Sequence, residues 1–291
     1  MAMVVMLSSP CLGLVKVYDR VFDVAACAEL HRSASARGLG HALYTRAHGP
    51  RLPLEHAFES YLASIGDGAP VVEYWSRQEW RHIEAHRDVD EALAAGGGPQ
   101  RCPEHGHVMY LRVGEKVRGP TCVWEPGDSS SFGALTSVPA VEGRVLRFAG
   151  DLQHAVPRPM DVWLSPFTVS QSGRAEDFVR SVVLFNTWPD ASAPPLNVEC
   201  DEALHDFGAE VSARWLARPR SEWRAAALHA PPTTTTRDGA PPPTTTMKLW
   251  LLGDTARRAQ RDRTLKLAVD GQAVAAALAE TRHCTRVPPA A

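Results

Sequence analysis

Four side chains, far apart in the sequence, have the types and order to run metal chemistry together. His86 and Asp88 close the stretch Val71 to Asp90 (VVEYWSRQEWRHIEAHRDVD), His154 lies in GRVLRFAGDLQHAVPRP, and Arg180 heads RSVVLFNTW. Two imidazoles and one carboxylate on one face of a divalent ion leave its other positions open to reactants. His86 and Asp88 are two residues apart, and in an extended strand such residues point to the same side. Arg180 opens an apolar run, where a guanidinium is costly to bury unless an anion pairs with it. A dicarboxylate that chelates the metal at one end would supply that anion at the other, through a bidentate fork. With 12 His in the chain, a His-x-Asp triplet arises readily by chance, so order and setting carry the inference.

These side chains need strands to hold them. His107 to Val113 alternates, with His107, Met109, Leu111 and Val113 on one face and Val108, Tyr110 and Arg112 on the other. Thr121 to Glu125, Gly133 to Val138, Arg144 to Ala149 and His154 to Arg158 are further short candidates, and Asp161 to Thr168 another. Gly and Pro turns separate them at the spacing of an all-β barrel or sandwich. Arg180 to Trp188 reads as a central strand buried on both faces. Upstream, Leu14 to Phe22 reads as a strand, and Asp23 caps a helix running to Arg37 and ended by Gly38. Leu54, Phe58, Tyr61, Leu62 and Ile65 form one face of a second helix that stops at Gly66. Both helices are expected outside a sheet. Leu204, Phe207, Val211 and Trp215 mark a third.

Composition sets the outer bounds. At 291 residues and 44% apolar, the chain can bury a sizeable core. A net charge of −2 gives no electrostatic footprint for nucleic acid. No run of about 18 apolar residues is present, so no membrane span is expected. The N-terminus lacks the basic start of a signal peptide, which points to a cytoplasmic protein. Cys11, Cys27, Cys102, Cys122, Cys200 and Cys284 are scattered, as reduced thiols would be. The expected organisation is a main domain over 14–230, a Pro/Thr-rich linker over 231–246 (PPTTTTRDGAPPPTTT from Pro231), and an appendage over 247–291 made of a hairpin and a short helix.

The segment from Leu14 to Trp188 resembles the Fe(II)/2-oxoglutarate-dependent dioxygenases, within them the prolyl 4-hydroxylase-like branch. HRD (His86 to Asp88) is similar to the family's H-x-D, and YLRVGEKVRGPT (Tyr110 to Thr121) to its Y-L-N followed by G-G-x-T. Arg112 stands in place of that Asn, and Pro120 in place of the second Gly. GRVLRFAGDLQHAVPRP resembles the distal-His segment, and RSVVLFNTW the final basic residue, apolar strand and Trp. The four motifs come in the family's order. The segment Trp163 to Val179 is longer than expected between the last two.

The resemblance implies a mainly β fold with flanking helices, a double-stranded β-helix (jelly roll, cupin-like). It implies Fe(II) held by His86, Asp88 and His154. Arg180 would hold 2-oxoglutarate, with Tyr110, Asn186 and Tyr74 as further candidates for hydrogen bonds to it. O2 would be the oxidant and ascorbate a supporting reductant, and an unidentified protein side chain or small molecule would be hydroxylated with release of succinate and CO2. The loop Ala94 to Cys102 sits where such enzymes often carry a lid. Two other readings use the same residues: a binding module that keeps the fold without catalysis, and a cupin-like metal enzyme that does not use 2-oxoglutarate. Cys102, His105 and His107 have metal-like spacing without a fourth ligand at a regular interval. The Trp residues at 75, 80, 124, 163 and 188 read as core or rim packing.

Overall fold

The helical stripes and the strand alternation fix which surfaces must meet. The computed structural model describes residues 13–37, 40–79, 83–117, 119–127, 132–157, 175–195, 212–231, 244–251 and 263–289. In chain order the first half holds β1 (Val15–Asp19), α1 (Val24–Arg37), β2 (Ala42–Thr45), α2 (Pro53–Ile65), β3 (Val71–Glu79), β4 (Ile83–His86), α3 (Glu91–Ala95), β5 (His105–Val113) and β6 (Thr121–Pro126). There follow β7 (Phe132–Val138), β8 (Val145–Ala149), β9 (His154–Val156), β10 (Val179–Trp188), β11 (Arg224–Ala225), β12 (Leu228–His229), β13 (Thr244–Leu251), β14 (Arg263–Asp270), α4 (Gly271–Ala279) and β15 (Cys284–Val287).

Among the described residues the strands form two sheets. One has the order β11-β1-β8-β5-β10-β3-β2, the other β12-β15-β7-β6-β9-β4-β13-β14. The strands from β3 to β10 cross between the sheets at every step except the β6–β7 hairpin. They give two facing halves, β8-β5-β10-β3 and β7-β6-β9-β4. That interleaved order is the double-stranded β-helix, or jelly roll. Pairing is antiparallel except where β12 meets β15 and β13 meets β4.

Three apolar layers hold this together. Outside the first sheet, α1 and α2 pack on Val72, Met109, Leu111, Val183 and Phe185. Between the sheets lie Val108, Tyr110, Val123, Leu146, Phe148 and Val182. Outside the second sheet, Ala273, Val274 and Ala277 of α4 cover Cys122, Trp124 and Ala155. The split of β5 into Met109 and Leu111 on one side and Val108 and Tyr110 on the other is the expected alternation. β10 is buried on both faces because Val183 and Phe185 meet the helix layer while Val182 lies between the sheets.

Local chemistry explains the helix ends. Asp23 Oδ1 accepts from the Ala26 backbone amide at 2.8 Å, capping α1. Glu55 reaches back to the amides of Arg51 and Leu52 at the start of α2 (2.7 and 3.1 Å). Gly66 ends α2 in the left-handed region (φ 70°). Leu54, Phe58, Tyr61 and Leu62 of α2 are all buried, each worth about 1.5–3 kcal/mol.

Several elements differ from expectation. β2 pairs with the edge of β3 without a sequence signal of its own, being four residues long. α3 takes up Ala94 and Ala95, so the glycine-rich turn begins at Gly96. Trp215 closes a three-residue turn, Ala213–Trp215, and the rest of the third helix expected there falls outside the described residues. So do the strand expected at 161–168, most of the linker, Trp80 and Trp163. β13 begins at Thr244, three residues before the expected hairpin. β15 pairs with β7, and Arg286 forks onto Glu125 at 2.8 Å through both Nε and Nη2.

Candidate metal centre

The second sheet brings the two imidazoles together. β4 and β9 run antiparallel with His86 directly opposite His154, and the ring centroids are 4.3 Å apart. Asp88 lies beyond the end of β4 rather than within it, so strand pleating does not aim it. The irregular chain after His86 nevertheless leaves the carboxylate close to both rings. Asp88 Oδ1 is 3.5 Å from His86 Nε2 and 3.7 Å from His154 Nε2. One ligand atom from each of the three residues lies within 4.8 Å of the others, and no second group of this kind occurs among the described residues.

The donor chemistry suits a divalent ion. His86 Nδ1 donates to the Glu84 carbonyl at 2.8 Å, and His154 Nδ1 to the Leu152 carbonyl at 3.2 Å. Those bonds leave both Nε2 lone pairs facing Asp88, the arrangement that fixes a metal-binding tautomer. Burial alone would raise the Asp88 carboxyl, but the facing His154 and His86 imidazoles and the Asn186 amide hold it well below the usual carboxylate range. Burial, then the neighbouring His86, pushes His154 down to about 4. Burial also disfavours charge on His86, yet the Asp88 carboxylate more than offsets it and raises that pKa. An ionised carboxylate and a neutral imidazole are the forms that ligate.

The surroundings are shaped by the first sheet. Gly106 on β5 faces Phe148 on β8, and a Cβ at Gly106 would sit 2.6 Å from the Phe148 ring. The missing side chain lets that ring lie against His154, centroids 4.8 Å apart. Below the histidines, Asp90 is fully buried and accepts from Arg101 Nη2 at 2.6 Å. Arg101 also donates to the carbonyls of Ala193 and Pro194 (2.6 and 2.9 Å). This clamp ties the loop after Asp88 to the chain leaving β10.

Arg180 lies deeper between the sheets, 2% exposed. Its Nη2 donates to Thr121 Oγ1 at 3.1 Å, and Thr121 is also bonded to the Tyr110 hydroxyl at 2.7 Å. The guanidinium lies 5.4 Å from the Tyr110 ring centroid. A hydrogen bond also joins it to Tyr110, and among the described residues its Nε has no hydrogen-bond partner and no ion pair with a carboxylate forms. Asp151 and Glu176 therefore do not neutralise it. Burial lowers the Arg180 pKa and raises that of Tyr110.

The other expected residues divide by face. Asn186 lies six positions along β10 from Arg180 and hydrogen-bonds Asp88. Tyr74 lies on the opposite face of β3, in the helix-covered layer, with its hydroxyl donating to Glu55 Oε1 at 3.3 Å. Alternation along β3 turns it away from the space between the sheets, so it is not a residue of this site. His105 and His107 do not meet Cys102 at a metal site; both contact Arg147 (3.0 and 3.3 Å). Thr121 and Phe148 lie inside the segments YLRVGEKVRGPT and GRVLRFAGDLQHAVPRP, where their types alone did not assign them to the site, and the Asp90–Arg101 clamp had no sequence signal.

No family model matches this chain, and no curated protein matches it significantly. Among solved structures it is similar to EctD from S. alaskensis in its apoform, at 15% identity over 60% of this chain and 73% of that chain, TM-score 0.34. It is also similar to HygX from Streptomyces hygroscopicus with iron bound, at 16% identity over 61% and 82%, TM-score 0.36. For HygX with nickel and 2-oxoglutarate bound the values are 14%, 61% and 83%, and 0.34. These likenesses are distant, and the fold assignment above rests on strand order and register. No helix among the described residues is long and apolar enough to cross a membrane.

Proposed function

We propose that this chain is an Fe(II)- and 2-oxoglutarate-dependent dioxygenase that hydroxylates a protein side chain or a small molecule. The observation that carries the reading is the pairing of a two-His, one-carboxylate group with a buried guanidinium that has no anion among the described residues. The three ligands suit a ferrous ion with open positions. The guanidinium suits the distal carboxylate of 2-oxoglutarate. When bound, ferrous iron with 2-oxoglutarate and O2 supplies a two-electron oxidation that puts one oxygen atom into a substrate C–H bond and yields succinate and CO2. Ascorbate would keep the iron ferrous. Placement in the prolyl 4-hydroxylase-like branch rests on motif order alone.

The chain's own residues divide the work. His86, Asp88 and His154 hold the metal, and the carbonyls of Glu84 and Leu152 keep both rings in the ligating tautomer. Asn186 holds the Asp88 carboxylate in place. Arg180 forks onto the cosubstrate carboxylate, with Thr121 and Tyr110 adding hydroxyl hydrogen bonds. Phe148, Val123 and Val182 keep water from the space between.

Succinate formation from 2-oxoglutarate with Fe(II) and ascorbate tests this reading. The wild type forms succinate. His154→Ala abolishes it, while Arg180→Ala raises the 2-oxoglutarate requirement at least tenfold and leaves metal binding intact. No succinate from iron-loaded wild type, or an Arg180→Ala variant with an unchanged requirement, contradicts the assignment.

A further inference from the structure

Next to the metal centre lies a second built feature that the proposed chemistry does not use. Register places Glu73 on β3 directly opposite Asn186 on β10, and Asn186 touches Asp88. Opposed residues on neighbouring strands have Cβ atoms about 5 Å apart, so Glu73 stands one strand from the ligand's own partner. Its side chain is buried, 1% exposed. It accepts from His41 Nδ1 at 2.9 Å and from Trp188 Nε1 at 3.1 Å. His41 precedes β2 and lies flat on Trp75, centroids 4.4 Å apart with planes at 6°. The imidazole is 29% exposed, and its Nε2 has no hydrogen-bond partner among the described residues.

The tautomer follows from these contacts. A carboxylate is an acceptor only, so the nitrogen facing it carries the hydrogen, and the neutral ring then presents a lone pair on Nε2. A lone pair on a partly exposed ring, a carboxylate on its other nitrogen and the Trp75 face against it all favour one kind of group. The nearby Arg101 guanidinium is already paired with Asp90.

We propose that His41 is a specificity-determining residue that receives an ammonium group of the substrate beside the metal, with Glu73 as its positioning residue. The substrate class is then an amine-bearing molecule or side chain. The ammonium donates to His41 Nε2, Glu73 supplies the opposing charge through the ring, and Trp75 fixes the ring plane. This inference rests on the reading of the metal centre as the reaction site.

The test uses full-length protein loaded with Zn(II) and 2-oxoglutarate, which cannot turn over. It is titrated with n-butylamine, n-butanol and butyrate, followed by tryptophan fluorescence and by the side-chain ¹⁵N resonance of His41. The amine binds at least tenfold tighter than the alcohol or the acid and shifts the Nε2 resonance. His41→Phe keeps the stack on Trp75 and erases the preference. Glu73→Gln keeps the side-chain shape, weakens the amine about tenfold and leaves zinc bound. Equal binding of the three probes by the wild type, or an amine preference that survives His41→Phe, overturns the proposal. Zinc content is read in the same samples, so failure of the metal centre is seen separately from failure of amine selection.

Discussion

Two guanidinium groups in this molecule are equally buried and oppositely treated. Arg144 and Arg180 are each 2% exposed. Arg144 sits just before β8, where its Nε and Nη2 fork onto Asp19 (2.6 and 3.2 Å) and the carbonyls of Pro139 and Arg282 take further bonds at 2.8 Å each. Arg180, between the sheets, bonds only to the Thr121 and Tyr110 hydroxyls and has an Nε with no partner among the described residues. Their pKa directions follow. Burial disfavours both cations, but the Asp19 pair more than offsets it for Arg144, which is raised, while Arg180 is lowered. A buried cation that the fold satisfies is structural. A buried cation left with spare donors has room to pair with an anion that binds and leaves.

Substitutions at these guanidinium groups test the contrast. The largest loss of stability is expected at Arg101, because Arg101→Met would remove the guanidinium paired with the fully buried Asp90 carboxylate. It should cost about 3–5 kcal/mol in denaturant unfolding. Arg144→Met should cost somewhat less, about 2–3 kcal/mol, because Asp19 is 24% exposed and water can take over. Arg180→Met, the same change at the unsatisfied site, should leave the unfolding midpoint unchanged or raise it. An equal loss at Arg144 and Arg180 would end the distinction between them. Gly106→Ala should cost about 1–3 kcal/mol through overpacking against Phe148 and loosen the metal through the ring that touches His154.

The smallest effect concerns a third guanidinium, Arg147, bonded to Asp67 and to His105 and His107. Burial, then Arg147, pushes His105 down to about 4 from an ordinary 6.5. The unfolded chain therefore binds the proton more readily. Its stabilisation is complete above about pH 6.5 and is lost as pH falls toward 4. Urea midpoints between pH 7 and 4 should fall more for the wild type than for His105→Gln.

Much of this was readable from residue order. The Asp23 cap, the α2 stripe, the β5 alternation and the both-face burial of β10 follow from local rules, and so does the meeting of His86 with His154 once their strands pair. Faces were harder. Tyr74 and Glu73 are neighbours in VVEYW, and only the register with β10 shows that Glu73 faces the site while Tyr74 faces the helices. A lone Glu in an apolar strand was the available hint of a buried carboxylate. His41 carried no local signal, because β2 is too short to show a period and its partner lies 32 residues away. Asp88 meets His86 and His154 as expected, although β4 ends at His86 and Asp88 lies just past it.

In the proposed function, Arg180 is held for a carboxylate that also reaches the metal. Calorimetric titration of 2-oxoglutarate into Mn(II)-loaded protein tests it most directly. Saturable binding is expected for the wild type and at least about thirtyfold weaker binding for Arg180→Met, the loss that follows when one partner of a buried charge pair is removed, with Mn(II) affinity the same in both. Equal 2-oxoglutarate affinity in the two proteins would contradict it.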